Sequence, residues 1–506
     1  LGATTLFELL GNGQDAAPAI GAPDRPSLSH TALRSLAQRT VRQLNGMGIG
    51  RNDRVAIVLP NGPEMAAAFV AIGCGATTAP LNPAYTGEEF AFYLGDLRAR
   101  ALVIQAGMQS PARAAAAAQN IPVIDLVPGQ QDAGEFVLAA PPGLAGTPGQ
   151  GGLAQPADVA LVLHTSGTTS RPKIVPLTQT NITASAANIA TSLALSSADC
   201  CLNIMPLFHI HGLIAATLAS LSAGACVVCT PGFNAFRFFA WMEQARPSWY
   251  TAVPTMHQAI LPLAARNKAI IQGGRLRLIR SSSASLPPAV MEALEAAFGV
   301  PVIEAYGMTE ASHQMACNPL PPRARYPGCV GVAAGPEVAV MGEDGEILPS
   351  GTLGEIVIRG ENVTLGYENN PKANAENFVG GWFRTGDQGV IDAEGYLRLT
   401  GRLKELINRG GEKVSPLEVD AVLMDHPAVA QCLAFGLPHE KLGEEVAAAV
   451  VLREGCVASE HELRDFAGTR LAPFKVPRKI VFVADIPKGA TGKLQRIGLA
   501  QKLGLA

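Results

Sequence analysis

Apolar residues along this chain gather in short unbroken runs, each followed by a stretch with helical character. Arg54-Val55-Ala56-Ile57-Val58-Leu59 is one such run, closed by Pro60-Asn61-Gly62-Pro63. The pattern predicts a buried strand, a turn and then an Ala-rich helix from Glu64. The same rhythm returns at Ala101-Leu102-Val103-Ile104, Cys226-Val227-Val228-Cys229 and Pro301-Val302-Ile303-Glu304, each beside an Ala- and Leu-rich stretch. Repeated strand-then-helix alternation predicts an α/β fold with largely parallel, helix-covered sheets. The most apolar segment, Leu213 to Cys229, is broken by Ser220, Ser222 and Gly224. It reads as a buried helix followed by a strand, not as a membrane span.

Between Pro128 and Pro156 the chain is rich in Gly, Ala, Pro and Gln without a sustained period, which predicts an exposed connection. From Gly331 to Leu399 short β segments such as Gly354-Glu355-Ile356-Val357-Ile358-Arg359 alternate with Gly-Glu, Asp-Gly and Gly-Tyr turns, the pattern of a small β-barrel. After Gly401 a compact stretch with its own strands and helices is long enough for a separate small domain. The expected organisation is therefore a large unit over 1–401, with two helix-covered sheets plus the barrel, and a small mobile α+β unit over 402–506.

A chain of 506 residues exceeds what one hydrophobic core serves. The 48% hydrophobic and 16% charged residues suit a well-buried globular enzyme and exclude a largely disordered chain. A formal charge of -3 leaves no electrostatic footprint for nucleic acid, so any polyanion must be held by placed loops. The nine cysteines are odd in number and scattered, which fits a reducing compartment better than a disulfide framework. Cys226 and Cys229 form a CxxC, but their apolar surroundings read as strand, and no second pair or neighbouring histidine completes a zinc set. With no basic signal region at the start, a cytoplasmic location is expected, with no membrane partner, and either a monomer or a homodimer.

The chemistry concentrates in Leu161-Val162-Leu163-His164-Thr165-Ser166-Gly167-Thr168-Thr169-Ser170-Arg171-Pro172-Lys173. An apolar strand runs here into a loop of small hydroxyl residues, whose backbone N–H groups can approach an anion closely while the hydroxyls and Lys173 add donors. The loop is not a Walker A sequence, since G-x-x-x-x-G-K-[ST] cannot be placed on it. Thr165 to Thr169 with Pro172-Lys173 resembles the phosphate loop of the acyl-CoA synthetase, luciferase and peptide-synthetase adenylation superfamily. Four further blocks resemble that family in order: Tyr306-Gly307-Met308-Thr309-Glu310, Trp382-Phe383-Arg384-Thr385-Gly386-Asp387, Gly401-Arg402-Leu403-Lys404-Glu405, and Pro487-Lys488 to Gly492-Lys493.

The resemblance implies an enzyme that uses ATP and Mg²⁺ to convert a small-molecule carboxylic acid to an acyl-AMP and then passes the acyl group to coenzyme A. It implies that Thr309 touches the α-phosphate, that Glu310 holds Mg²⁺, and that Lys493 reaches the carboxylate and α-phosphate during adenylation. Ser283, Ala284, Ser285, Glu304, Ala305 and Gly307 are counted with the nucleotide residues. Tyr306 offers a flat face to adenine, Asp387 suits the ribose hydroxyls, and Arg402 suits ribose or phosphate. Lys404 occupies the family's hinge, about which the small domain rotates so that Gly410, Gly411 and Glu412 present a face for thioester formation.

For the acid, His209 and His211, Ser283 and His313 stand where a fatty-acid pocket prefers apolar groups. Donors there suggest a small, polar dianion. The runs His164-Thr165 to Lys173, Glu304-Ala305-Tyr306 to His313, and Lys404 to Lys413 resemble the oxalate-CoA ligase branch, which implies contact of Ser283 and His313 with the second carboxylate. The chain departs from that branch at Ile174, where Gly is usual, and at Gly307, where Ala is frequent; the latter suggests extra room near the nucleotide. A synthetase for malonate or a medium-chain fatty acid, an adenylation enzyme loading a carrier protein, and a non-catalytic nucleotide binder are the rival readings.

Overall fold

A computed structural model describes residues 2–165 and 172–506. Two large sheets carry the first part of the chain. One has seven strands, in the order Phe136–Ala139, Val123–Pro128, Ala101–Gln105, Arg54–Val58, Thr77–Pro80, Val159–Thr165, Lys173–Thr178. Its interior is parallel and only the outermost strand at each edge runs antiparallel. The other has nine strands, in the order Val332–Ala333, His313–Cys317, Val302–Met308, Leu278–Ser281, Trp249–Ala252, Cys200–Asn203, Cys226–Cys229, Pro18–Ala22, Arg25–Ser29. Its central strands are buried on every residue, as parallel strands covered by helices on both faces must be.

Local sequence sets where the covering helices start. Pro63 opens the helix Pro63–Gly73, and the Thr86 hydroxyl and Glu89 carboxylate cap Gly87–Leu97 reciprocally. The Leu213–Cys229 segment is the expected buried helix and strand. Its first part, His211–Leu218, is wound with the wider π pitch before Ala219–Ser222 returns to α, an irregularity frequent at functional sites.

The connection after Pro128 differs from expectation by holding a strand, Phe136–Ala139. Phe136 and Leu138 face the core while Val137 is exposed, and four residues are too few for that alternation to stand out against Gly and Pro neighbours. The β-rich region is a five-stranded antiparallel sheet: Glu337–Met341, Gly354–Arg359, Trp382–Ile391 and Phe378–Val379 in order, with Leu397–Arg402 also paired to Trp382–Ile391.

The small domain is built on a further five-stranded sheet, in which Val429–His439 and Gly443–Leu452 form a long antiparallel pair. Its strands Ile407–Arg409 and Glu412–Val414 are joined by Gly410-Gly411, both at positive φ (61° and 95°), the backbone that a two-residue hairpin turn demands. Apolar residues of this domain, among them Val419, Leu423 and Leu463, belong to one cluster with Leu202, Tyr250 and Met256 of the large unit. Among the described residues, no helix is long and apolar enough to cross a membrane. All nine cysteines are free thiols; Cys226 and Cys229 lie on one strand as packing residues.

Candidate active site

The carboxyl ends of the parallel strands of the nine-stranded sheet carry the predicted residues to one place, as expected for open α/β sheets. Thr251 lies one residue before the end of the strand Trp249–Ala252, the loop with Ser283 follows Leu278–Ser281, and Tyr306 to Glu310 complete Val302–Met308 and the turn after it. Thr165 and Lys173 pair across the hairpin that carries the Ser/Thr-rich loop. Ser166, Gly167, Thr168 and Thr169 lie outside the described residues. Ile174, one of the two departures, is a buried strand residue packed with Val58 and Val162.

Glu310 is buried, and its Oε1 accepts a hydrogen bond from the Tyr367 hydroxyl at 2.7 Å. The Lys173 ammonium stands 4.5 Å from the centre of the Tyr367 ring. Tyr367 thus holds the acidic and the basic group of the phosphate region in one arrangement. No motif marked it, because a Tyr in Gly366-Tyr367-Glu368 carries no spacing signal. The second Glu310 carboxylate oxygen takes no hydrogen bond among the described residues. One carboxylate with a free oxygen fits Mg²⁺, which is held by few protein ligands together with substrate phosphates.

Tyr306 is buried and its hydroxyl donates to Asp387 Oδ2, while Arg402 Nε lies 3.1 Å from Asp387 Oδ1. Asp387 and Arg402 are register partners on adjacent strands. Burial raises the Asp387 pKa against the opposing pull of Arg402 and Tyr306. Asp387 is thus held by one hydrogen bond and one ion pair within the protein.

Glu304, counted with the nucleotide residues, has its side chain committed elsewhere. It is buried, and Oε1 accepts from the Leu286 backbone N–H at 2.9 Å. It orders the Ser283-Ala284-Ser285 loop from behind, and burial pushes its carboxyl up to about 8. Ala284 and Ser285 are exposed, Ser283 is half-buried and Ala305 is buried. Gly307 does not open room near the nucleotide: a Cβ there would lie 2.1 Å from the His313 carbonyl oxygen. The glycine permits the close crossing of Val302–Met308 and His313–Cys317, whose register slips at that point.

The histidines divide into two roles. His211 is fully buried, with Nδ1 2.9 Å from Ser283 Oγ and Nε2 2.6 Å from Thr251 Oγ1. Both ring nitrogens are engaged, so His211 links Thr251 to Ser283. His209 Nδ1 accepts from the His211 backbone N–H at 3.3 Å, leaving its Nε2 to carry the proton. His313 lies 4.9 Å from His211, ring centre to ring centre, and its Nε2 has no hydrogen-bond partner among the described residues. Ser283 and His313 both hold positive φ (75° and 101°), a backbone strain that accumulates at functional sites. Burial, with Lys493 adding to it, lowers His209 to about 3; burial holds His211 and His313 well below their ordinary value, with His313 and Arg280 adding to it at His211 and Arg280 at His313. All three shifts favour the neutral ring.

Beneath them lies a residue that the motifs did not mark. Arg280, on the strand Leu278–Ser281, is fully buried. Its guanidinium reaches Gln314 Oε1 at 3.1 Å, and Thr251 Oγ1 and His313 Nδ1 at 3.5 Å each. Burial lowers its pKa to about 10. Its place within an apolar strand run concealed it.

Lys493 enters from the small domain. The Gly492 carbonyl accepts from Thr255 Oγ1 at 2.7 Å, which brings Lys493 within electrostatic reach of Arg402, Asp387, Glu310 and the three histidines. Burial lowers its pKa to about 8, Arg402 adds to the fall, and Asp387 and Glu310 oppose it. Lys404 is exposed, as are Gly410, Gly411 and Glu412.

The sequence profile of the AMP-binding enzyme family matches residues 11–368, and that of the AMP-binding enzyme C-terminal domain matches residues 418–493. The chain belongs to the AMP-binding enzyme family. Within that family it is 45% identical, over 98% of each chain, to the oxalate–CoA ligase of Arabidopsis thaliana. The fold of this AMP-binding enzyme is similar to that of MatB from Rhodopseudomonas palustris with ATP bound, at a TM-score of 0.85 and 29% identity over 99% of this chain and 98% of that one. Against apo MatB, at the same identity and coverage, the TM-score is 0.78.

Proposed function

We propose that this enzyme is an ATP-dependent oxalate–CoA ligase. One oxalate carboxylate oxygen attacks the α-phosphorus of ATP, expelling pyrophosphate and leaving oxalyl-AMP. The CoA thiol, losing its proton, then attacks the activated carbonyl and AMP departs. The observation that carries the reading is the polar cluster within electrostatic reach of Lys493, in which His209, His313 and, bonded to His211, Ser283 stand as hydrogen-bonding groups in place of an apolar lining. Donors of this kind stabilise a carboxylate and penalise an alkyl chain. The Arabidopsis relative supports the same substrate.

In the first step Lys493 neutralises charge gathering on the carboxylate and α-phosphate, with Thr309 on the α-phosphate, Glu310 as the Mg²⁺ ligand and Asp387 and Arg402 on the ribose. Mg²⁺, when bound, offsets phosphate charge. The arrangement with Lys493 inside the site is the adenylating one, in keeping with the higher likeness to ATP-bound MatB. For the second step the small domain turns about Lys404, withdrawing Lys493 and presenting Gly410, Gly411 and Glu412. ATP–pyrophosphate exchange over a panel of acids tests the reading: oxalate is expected to support exchange, and strong malonate or octanoate exchange with none for oxalate would overturn it.

A further inference from the structure

Arg280 presents a physical problem. A guanidinium carries a charge at every ordinary pH, and among the described residues this one has no carboxylate partner and an Nε without any hydrogen-bond acceptor. Burying an unpaired charge is costly unless something in the working cycle compensates it. Its neighbours are neutral: Thr251, Gln314 and His313.

The direction of each hydrogen bond follows from Arg280 being a donor only. Facing its Nη2, His313 Nδ1 must be an acceptor, so the proton of the neutral ring sits on Nε2, the atom left without a partner. Facing Nη1, Thr251 Oγ1 accepts, and the hydroxyl hydrogen of this fully buried residue has only His211 Nε2 to go to among the described residues. His211 then carries its proton on Nδ1 and donates to Ser283 Oγ. The Ser283 hydroxyl hydrogen is left to point outward. Two chains of hydrogen bonds thus start at one guanidinium and end at Ser283 O–H and His313 Nε2–H.

We infer that Arg280 is a positioning and specificity-determining residue, which fixes Ser283 and His313 as donors and supplies the buried positive charge that the second carboxylate of a dianionic acid neutralises. The inference rests on the oxalate reading, and it adds the source of the preference for two negative charges. Arg280 acts through its neighbours and is not a catalytic group.

The test compares oxalate with oxamate, in which a neutral amide replaces one carboxylate, in wild-type enzyme, Arg280→Gln and Arg280→Lys. Arg280→Gln is expected to raise the oxalate KM and reduce the oxalate-to-oxamate ratio of kcat/KM, each by at least about tenfold, while the KM for ATP stays within about twofold. Arg280→Lys, which keeps the charge, is expected to recover much of the ratio. An unchanged ratio in Arg280→Gln, or equal losses for both acids and ATP, overturns the inference.

Should the glutamine variant fail to fold, histidine ¹⁵N resonances of the wild-type enzyme decide: protons on His313 Nε2 and His211 Nδ1 support the relay, and the opposite tautomer at either ring refutes it. If the wild-type enzyme does not activate oxalate, the substrate reading fails separately. The ratio is then measured with the diacid that the panel identifies and its monoamide, and activation of monoacids alone refutes the role of Arg280 as well.

Discussion

Raising the pH through the Lys493 titration should disable the first half-reaction and leave the second intact. The drop in the Lys493 pKa from 10.5 to about 8 corresponds to roughly 3 kcal/mol against the charged amine in the closed, nucleotide-free site. At pH 7 the amine is still charged; by pH 9 most of it is neutral and has lost the ability to balance the α-phosphate. Acid-dependent ATP–pyrophosphate exchange, measured as kcat/KM for ATP, is therefore expected to be flat to about pH 7.5 and to fall roughly tenfold per pH unit well above 8. ATP carries negative charge to the same place and raises the lysine pKa, so kcat should inflect at higher pH than kcat/KM. Thioester formation from preformed oxalyl-AMP should lack this alkaline loss, and Lys493→Ala should abolish exchange while largely sparing that step. A flat exchange profile to pH 10, or equal loss of both steps in Lys493→Ala, would refute the reasoning.

Thr255→Val removes the hydroxyl that holds the Gly492 carbonyl; the loss of about 1 kcal/mol should slow adenylation roughly fivefold without slowing thioester formation, read by single turnover of each step. Glu304→Gln tests the buried carboxyl: with its folded pKa raised to about 8 from 4.5, the wild-type stability contribution is full below 4.5 and is lost as pH rises through 8. The variant should gain relative to wild type between pH 5 and 8 by urea unfolding, and a constant difference over that range would count against the assignment. Lys404→Pro fixes φ at a main-chain N–H that makes no hydrogen bond among the described residues. Thioester formation should fall at least about tenfold with adenylation nearly retained, and equal loss of both would remove Lys404 from the hinge.

Much of the fold was legible because buried parallel strands declare themselves as apolar runs bounded by Pro and Gly, as at Arg54–Val58 and Cys226–Cys229. The strand Phe136–Ala139 escaped because its alternation is four residues long. Ordered motifs singled out Lys493, Glu310 and Asp387, which the structure brings within electrostatic reach of one another. Arg280, Thr251 and Tyr367 were not legible, since each acts through residues distant in sequence: Thr251 joins His211 to Arg280, and Tyr367 joins Glu310 to Lys173. The side-chain partners of His211 and the loop contact of Glu304 were likewise not legible, since they depend on which atoms the tertiary structure brings together. Gly307 was read as added space, whereas the crossing backbone of His313 fills it.

The bond from Thr255 to the Gly492 carbonyl fastens the Lys493 loop by its main chain, adjacent to the lysine yet independent of it. A latch of that kind is indifferent to whether the lysine is charged, neutral or chemically capped. The loop can therefore dock with a disabled lysine, and inactivation of that amine would block adenylation while leaving the domain free to close and to open.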